Sequence, residues 1–220
     1  MTMLMSFGLK PRILPKEFYV RGTVQVARGL LGKDLVRMWR SARMAGRIVE
    51  VEAYRGSDDP ASHAFRGMTA RNAPMFGEPG HAYVYFTYGN HYCLNVTTQR
   101  RGTPAAVLIR ALEPLEGLSS MRRLRPSVPD SELTNGPGKL TKALAIDKAL
   151  NEIDMTRRGA LFIEDSGERE DFEVARSARV GIRQGRERLW RFYVAGNPHV
   201  SRRFPAKYQF PPVLNHCRYA

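Results

Sequence analysis

The chain has 220 residues, enough to bury a full core within one domain. Hydrophobic residues make up 43% and charged residues 25%, the balance of a globular protein and not of a disordered chain. Lys and Arg number 35 against 21 Asp and Glu, a formal charge of +14 with a pI near 10.3. Such an excess attracts polyanions, because each neutralised phosphate releases condensed counterions, and it points to nucleic acid.

Cys93 and Cys217 are too few for a disulfide scaffold and have no metal-ligand spacing, which suits a reducing cytoplasm. His63, His81, His91, His199 and His216 are scattered, so neither a metal nor a cofactor is expected. No apolar run has membrane-spanning length, and the N-terminus lacks a cleavable leader pattern. The expected location is cytoplasmic.

Residues 1–22, which contain Pro and Lys, read as a surface arm. Thr23 is placed to cap a helix through Leu31, stopped at Gly32. Strands are expected over Asp34–Met38 and Ala45–Tyr54, then a long Gly-, Pro- and Arg-rich loop over Ser57–Gly80. Ala82–Tyr88 and His91–Thr98 flank Gly89-Asn90, a hairpin signal. A strand over Ala105–Ala111 precedes helices over Pro114–Arg125 and from Pro137 through Ala145. Further strands are expected at Ala160–Ile163, Val174–Ile182 and Trp190–Val194, and residues 201–220 form a basic, Pro-rich tail. Strands and helices mix without regular βαβ alternation, so the expected class is α+β, one domain over 1–220, with a largely antiparallel sheet.

Two segments carry candidate chemistry. In Arg47–Tyr54, strand period two sends Val49, Val51 and Ala53 to an apolar face and Ile48, Glu50, Glu52 and Tyr54 to the other. Carboxylates so placed are solvated, paired or working; a salt-bridged pair and a catalytic base both fit. The hairpin carries Tyr83, Tyr85, Tyr88 and Tyr92, with Asn95 on the return strand. Its tyrosines fit a sheet core or a surface that stacks on bases, and Tyr88 beside the turn is positioned to wedge between base pairs. A two-residue turn puts Asn95 opposite Val84. Only an odd-length connection brings Tyr85 and Asn95 to one face.

Together with Gly46–Tyr54, His63, Arg71-Asn72, Met75-Phe76 and Pro79-Gly80, these segments resemble the alkyladenine (3-methyladenine) DNA glycosylase family. The likeness continues in order through Tyr83-Val-Tyr85, Tyr88-Gly89, Asn95, Leu108–Gly117, Gly136–Leu140, Ala178–Gly181 and Arg191–Val194, covering about residues 20–200. It implies a formyltransferase C-terminal-domain-like fold with a curved antiparallel sheet, and a monofunctional enzyme that releases damaged purines from double-stranded DNA in base excision repair. It further implies Glu52 as general base, with Arg110 and the backbone around Ile182 holding the water. Tyr54, His63 and Tyr85 would sandwich the flipped base, Asn95 would obstruct the 2-amino group of guanine, and Tyr88 would fill the vacated stack. Asn90 departs from the bulkier apolar residue of the animal relatives. Purines alkylated at N3 or N7 leave readily. Hypoxanthine and ethenoadenine need a proton, for which His63 is one candidate and a packing histidine the other reading. Arg71, Arg122, Arg125, Lys139 and Lys142 are collective candidates for phosphate contacts, and a monomer is expected. A non-enzymatic module binding distorted or single-stranded segments is the alternative, and so is a tRNA-binding or transferase accessory domain. Neither has use for Glu52 and Arg110.

Overall fold

The computed structural model describes residues 11–87, 89–167, 171–201 and 213–214. The 13-residue strand β3 (Ala42–Tyr54) is the spine of the sheet. One of its edges pairs with β6 (Ala106–Glu116). The other is divided: Ala42–Arg47 pairs with β2 (Asp34–Trp39), and Glu50–Glu52 pairs with β9 (Arg191–Val194). The sheet therefore forks beside Ile48. On one side β2 leads to β7 (Leu161–Asp165) and β1 (Arg12–Ile13); on the other β9 leads to β8 (Glu173–Ser177) and β10 (Val213–Leu214). Beyond β6 lie β5 (His91–Thr97) and β4 (Ala82–Thr87), and every pairing among the described residues is antiparallel. With four short helices the class is α+β, as expected.

One face of β3–β6–β5–β4 holds Val51, Ala53, Val107, Ile109, Leu94, Val96, Val84 and Ala82, all in the main core. Helices cover it. In α2 (Thr23–Leu30) Val26, Ala27 and Leu30 form the buried stripe, and in α4 (Pro137–Ala143) Leu140 and Ala143 do so. The hairpin clasps α4 closely: a β-carbon on Gly138 would lie 2.4 Å from the His91 ring.

Several boundaries differ from the sequence reading. The arm does not hold for its second half, since Arg12–Ile13 joins the sheet and α1 (Lys16–Val20) buries Tyr19 completely. Thr23 does not cap α2. Gly22 occupies that position, and the Thr23 hydroxyl accepts bonds from Thr98 and Gln99 at the end of β5. Pro114 does not open a helix but lies in β6, opposite Gly46 beside an irregularity where its missing N–H is tolerated. The helix α3 (Leu118–Leu124) begins after Gly117, whose φ of +76° and 2.7 Å approach of a would-be β-carbon to the Arg43 carbonyl require glycine. Apart from Ser201 and Val213–Leu214, the tail lies outside the described residues, as does Tyr88.

Candidate active site

The face of the sheet away from the helices carries the candidate residues, and the strand registers align them. Ser177 pairs with Arg191, Arg191 with Glu52, Glu52 with Leu108, Leu108 with Asn95, and Asn95 with Tyr83. Residues paired directly across an antiparallel ladder share a face, so one row runs from β8 to β4. At roughly 4.8 Å per strand, Asn95 lies about 10 Å from Glu52 along it.

The hairpin has the odd-length connection that a shared face requires. Thr87 pairs with His91, so the connection between the paired positions is three residues long. In this register Asn95 faces Tyr83, and Tyr85 faces Cys93. Parity is what matters, and Tyr83, Tyr85, Cys93 and Asn95 all line one cavity. Tyr92 belongs to the other face, where its ring lies 5.0 Å from that of Phe86.

In β3 the simple alternation fails once. Ile48 joins the core with Val51, an odd spacing, because Val49 is extra on β3 between the Ile48–Leu112 and Glu50–Ala111 pairs. Arg110 is extra on β6 between Ala111 and Ile109. Bulges re-aim side chains beside functional sites, and this pair directs Arg110 at both glutamates. Its Nε donates to Glu50 Oε1 at 2.9 Å and its Nη1 to Glu52 Oε2 at 3.3 Å.

Glu50 and Glu52 are both completely buried, but their surroundings differ. Glu50 also accepts bonds from Arg191 Nε at 2.7 Å, from the Ser201 N–H at 2.6 Å and from the Ser201 hydroxyl at 2.9 Å. Burial alone would raise its pKa; Arg110, Arg191 and the Ser201 N–H outweigh this and hold it below the ordinary carboxylate range. Glu52 accepts the Tyr54 hydroxyl at 2.7 Å on Oε2 and the Val180 N–H at 2.6 Å on Oε1. The Tyr54 hydroxyl stays protonated, its pKa driven well up by burial and then by Glu52. Burial and its two glutamate neighbours leave Arg110 charged, the carboxylates more than restoring what desolvation removes.

Above Glu52 lies a cavity of about 480 Å³, lined by Tyr54, His63, Tyr83, Tyr85, Asn95, Arg110 and Ile182 among others. Its volume falls within the range of small-molecule sites, roughly 300–1,000 Å³. The loop between β3 and β4 forms one wall, packing Ala64 and Met75 against Tyr83 and Ala106. Asn72 organises that loop by donating to the carbonyls of His63 and Gly67 while accepting from the Thr69 N–H. His63 Nδ1 bonds the Tyr83 hydroxyl at 2.9 Å, and its ring stands edge-on to Tyr85 at 4.7 Å. Burial and then Arg71 lower the His63 pKa, so the imidazole is neutral at pH 7 and a poor proton donor. Arg71 lies over Tyr85, 5.1 Å from the ring centre. Asn95 donates to the Tyr83 carbonyl at 3.0 Å.

The stretch expected as strand through Ile182 leaves the sheet at Ser177. Its next residues fold over the site instead: the Val180 N–H donates to Glu52, and Ile182 lines the cavity. Of the candidate phosphate contacts, Arg122 is paired with Asp130, Lys139 with Glu132, and Arg125 with the carbonyls of Glu132 and Leu133. Lys142 is exposed.

The arrangement sets a buried carboxylate within the cross-strand row, and the groups that hold it, Tyr54, Arg110 and Val180, line a cavity with Tyr83 and Tyr85; it is suited to hydrolysis beside a bound ring. Residues 17–198 match the model of the methylpurine-DNA glycosylase family, and the chain belongs to that family of monofunctional DNA N-glycosylases. It is 50% identical over 197 residues to a protein of Methanocella arvoryzae, an alignment spanning 88% of this chain and 98% of the relative. A Carboxydothermus hydrogenoformans protein is 47% identical across 87% of this chain and 100% of its own length. One from Chlorobium phaeovibrioides is 45% identical across 88% and 98%. All three carry the name "Putative 3-methyladenine DNA glycosylase". No helix of the described residues is long and apolar enough to cross a membrane.

Proposed function

We propose that this protein, as a monomer, hydrolyses the N-glycosidic bond of alkylated or deaminated purines flipped out of duplex DNA: 3-methyladenine, 7-methylguanine, hypoxanthine and ethenoadenine. The observation carrying this reading is Glu52, buried beneath an aromatic cavity and held by Tyr54, Arg110 and Val180 N–H rather than saturated like Glu50. Glu52 takes a proton from water as the water oxygen bonds to the sugar carbon, while the carbon–nitrogen bond breaks and its electron pair leaves with the base. The carboxylate also favours the cationic sugar of the transition state. Arg110 and the backbone of residues 180–182 hold the water.

Tyr54, His63 and Tyr85 flank the base, Asn95 obstructs the 2-amino group of guanine, and Tyr88 fills the vacated stack. A lesion already carrying positive charge leaves as a neutral molecule, and aromatic faces attract it by roughly 0.5–2 kcal/mol. Arg71 over Tyr85 offsets part of that attraction, which supports a place for neutral lesions among the substrates. The residues lining the cavity include no lysine, consistent with hydrolysis to an abasic site without a Schiff base.

The test is abasic-site formation on duplexes carrying one lesion each, from 3-methyladenine to ethenoadenine. Release from at least one of them is expected. A protein that binds these duplexes and releases no base is a binding module instead.

A further inference from the structure

Asp59 and Arg179 form a completely buried ion pair. Arg179 donates Nη1 to Asp59 Oδ2 at 2.5 Å and Nη2 to Oδ1 at 2.7 Å. The Asp59 carboxylate also accepts the N–H groups of Arg55 and Ala61, both at 3.2 Å, so it fixes the start of the cavity wall. Arg179 Nη1 donates again to the Ala53 carbonyl at 2.9 Å. Its guanidinium carbon lies 4.6 Å from the centre of the Tyr54 ring and 5.3 Å from that of Trp190. Gly185, at φ +69°, brings the returning loop against it; a β-carbon there would lie 3.1 Å from Arg179 Nη2.

This pair links the two segments that hold Glu52. The residue after Arg179 is Val180, whose N–H reaches Oε1; the ring beneath its guanidinium is Tyr54, whose hydroxyl reaches Oε2. Pinning a loop for stability alone would not call for this pair. A buried ion pair seldom outperforms apolar packing, because desolvation consumes the Coulombic gain. Here Arg179 Nε is left buried without a hydrogen-bond partner, a further cost.

Building on the proposed role of Glu52, we infer that Asp59 and Arg179 are positioning residues. Through Val180 N–H and the Tyr54 ring they hold both Glu52 oxygens in the orientation that aims the carboxylate at the attacking water. Neither touches the reacting atoms. A misplacement of about 1 Å at a reacting centre costs up to roughly 100-fold in rate, and that is the scale expected here.

The test compares Asp59→Asn, Arg179→Lys and Arg179→Met with wild type, on a lesion duplex that wild type processes. Three quantities are read: kcat and KM, affinity for a duplex with a tetrahydrofuran abasic analogue, and the thermal midpoint. Asp59→Asn and Arg179→Met are expected to lower kcat about 30- to 100-fold, with KM and analogue affinity within about threefold of wild type. Arg179→Lys, which keeps the charge against Asp59, is expected to recover kcat to within about tenfold. Should Arg179→Met fail to fold, the two conservative variants decide by the same criteria. A lowered thermal midpoint with kcat within threefold of wild type overturns the inference in favour of a structural pin. Parallel losses in kcat and analogue affinity overturn it too. Absence of base release by wild type is a different result, which removes the proposed function and this inference with it.

Discussion

The two ends of the site are built on opposite principles. At the carboxylate end, three acidic side chains, Glu50, Glu52 and Asp59, face three arginines, Arg110, Arg179 and Arg191, all of them buried. Charges out of water must be matched and hydrogen-bonded, and this cluster is both save at Arg179 Nε. At the aromatic end Tyr85 is half-buried, and Phe65 and Met68 on the wall loop face solvent at 40% and 62%. The first region gives a carboxylate a fixed aim. The second leaves rings uncovered for a partner that brings its own ring. On the proposed reading, chemistry and recognition occupy different stretches of one sheet face, and disturbing one is expected to leave the other nearly intact.

Glu52→Gln is expected to break that symmetry most severely, lowering base release about 10²- to 10⁴-fold while binding to an abasic duplex stays near wild type. Single-turnover kinetics and a gel-shift titration measure the two sides; retained turnover would move the base to another residue. Glu50→Gln should act on folding instead, costing about 3–5 kcal/mol in urea denaturation because it leaves Arg110 and Arg191 short of a buried partner. Its pH dependence has a definite sign. The folded pKa of Glu50 lies below the ordinary glutamate value of 4.5, so its contribution is complete above 4.5 and is lost as pH falls through the lower folded value. The stability gap between wild type and Glu50→Gln should therefore close on acidification below 4.5. The smallest effect belongs to the aromatic end. Tyr85→Ala removes a ring interaction worth about 0.5–1.5 kcal/mol, so KM should rise several-fold with kcat and thermal midpoint little altered. A large fall in midpoint would show that Tyr85 is core rather than recognition surface.

Much of this was legible before any coordinates. Alternation in β3 placed Glu50, Glu52 and Tyr54 on one face, and parity in the hairpin tied Tyr85 and Asn95 to an odd-length turn. Both inferences hold because a strand's side-chain period is a local property. The structure added what is not local. Nothing near Asp59 in the chain announces a partner 120 residues away, and nothing near Glu50 announces Ser201. The helix assigned from Pro114 failed for a related reason. Its proline is accommodated by an irregularity in the pairing of β6 with β3, opposite Gly46, which is not a local property of the segment. The odd spacing of Ile48 and Val51 within the core was likewise hidden, since it depends on a matching extra residue in β6.

That last feature has an implication for how such a site can arise. Delete Val49 and Arg110 together, and Ile48–Leu112, Glu50–Ala111 and Val51–Ile109 become consecutive rungs of an ordinary ladder, with core and site faces alternating without interruption. The guanidinium that binds both glutamates is thus an insertion matched by a second insertion across the strand boundary. Either one alone would throw the far half of the sheet out of phase. Deleting position 110 therefore requires a matching deletion at position 49, so the sheet protects the position, while the arginine that occupies it can be exchanged without disturbing the register.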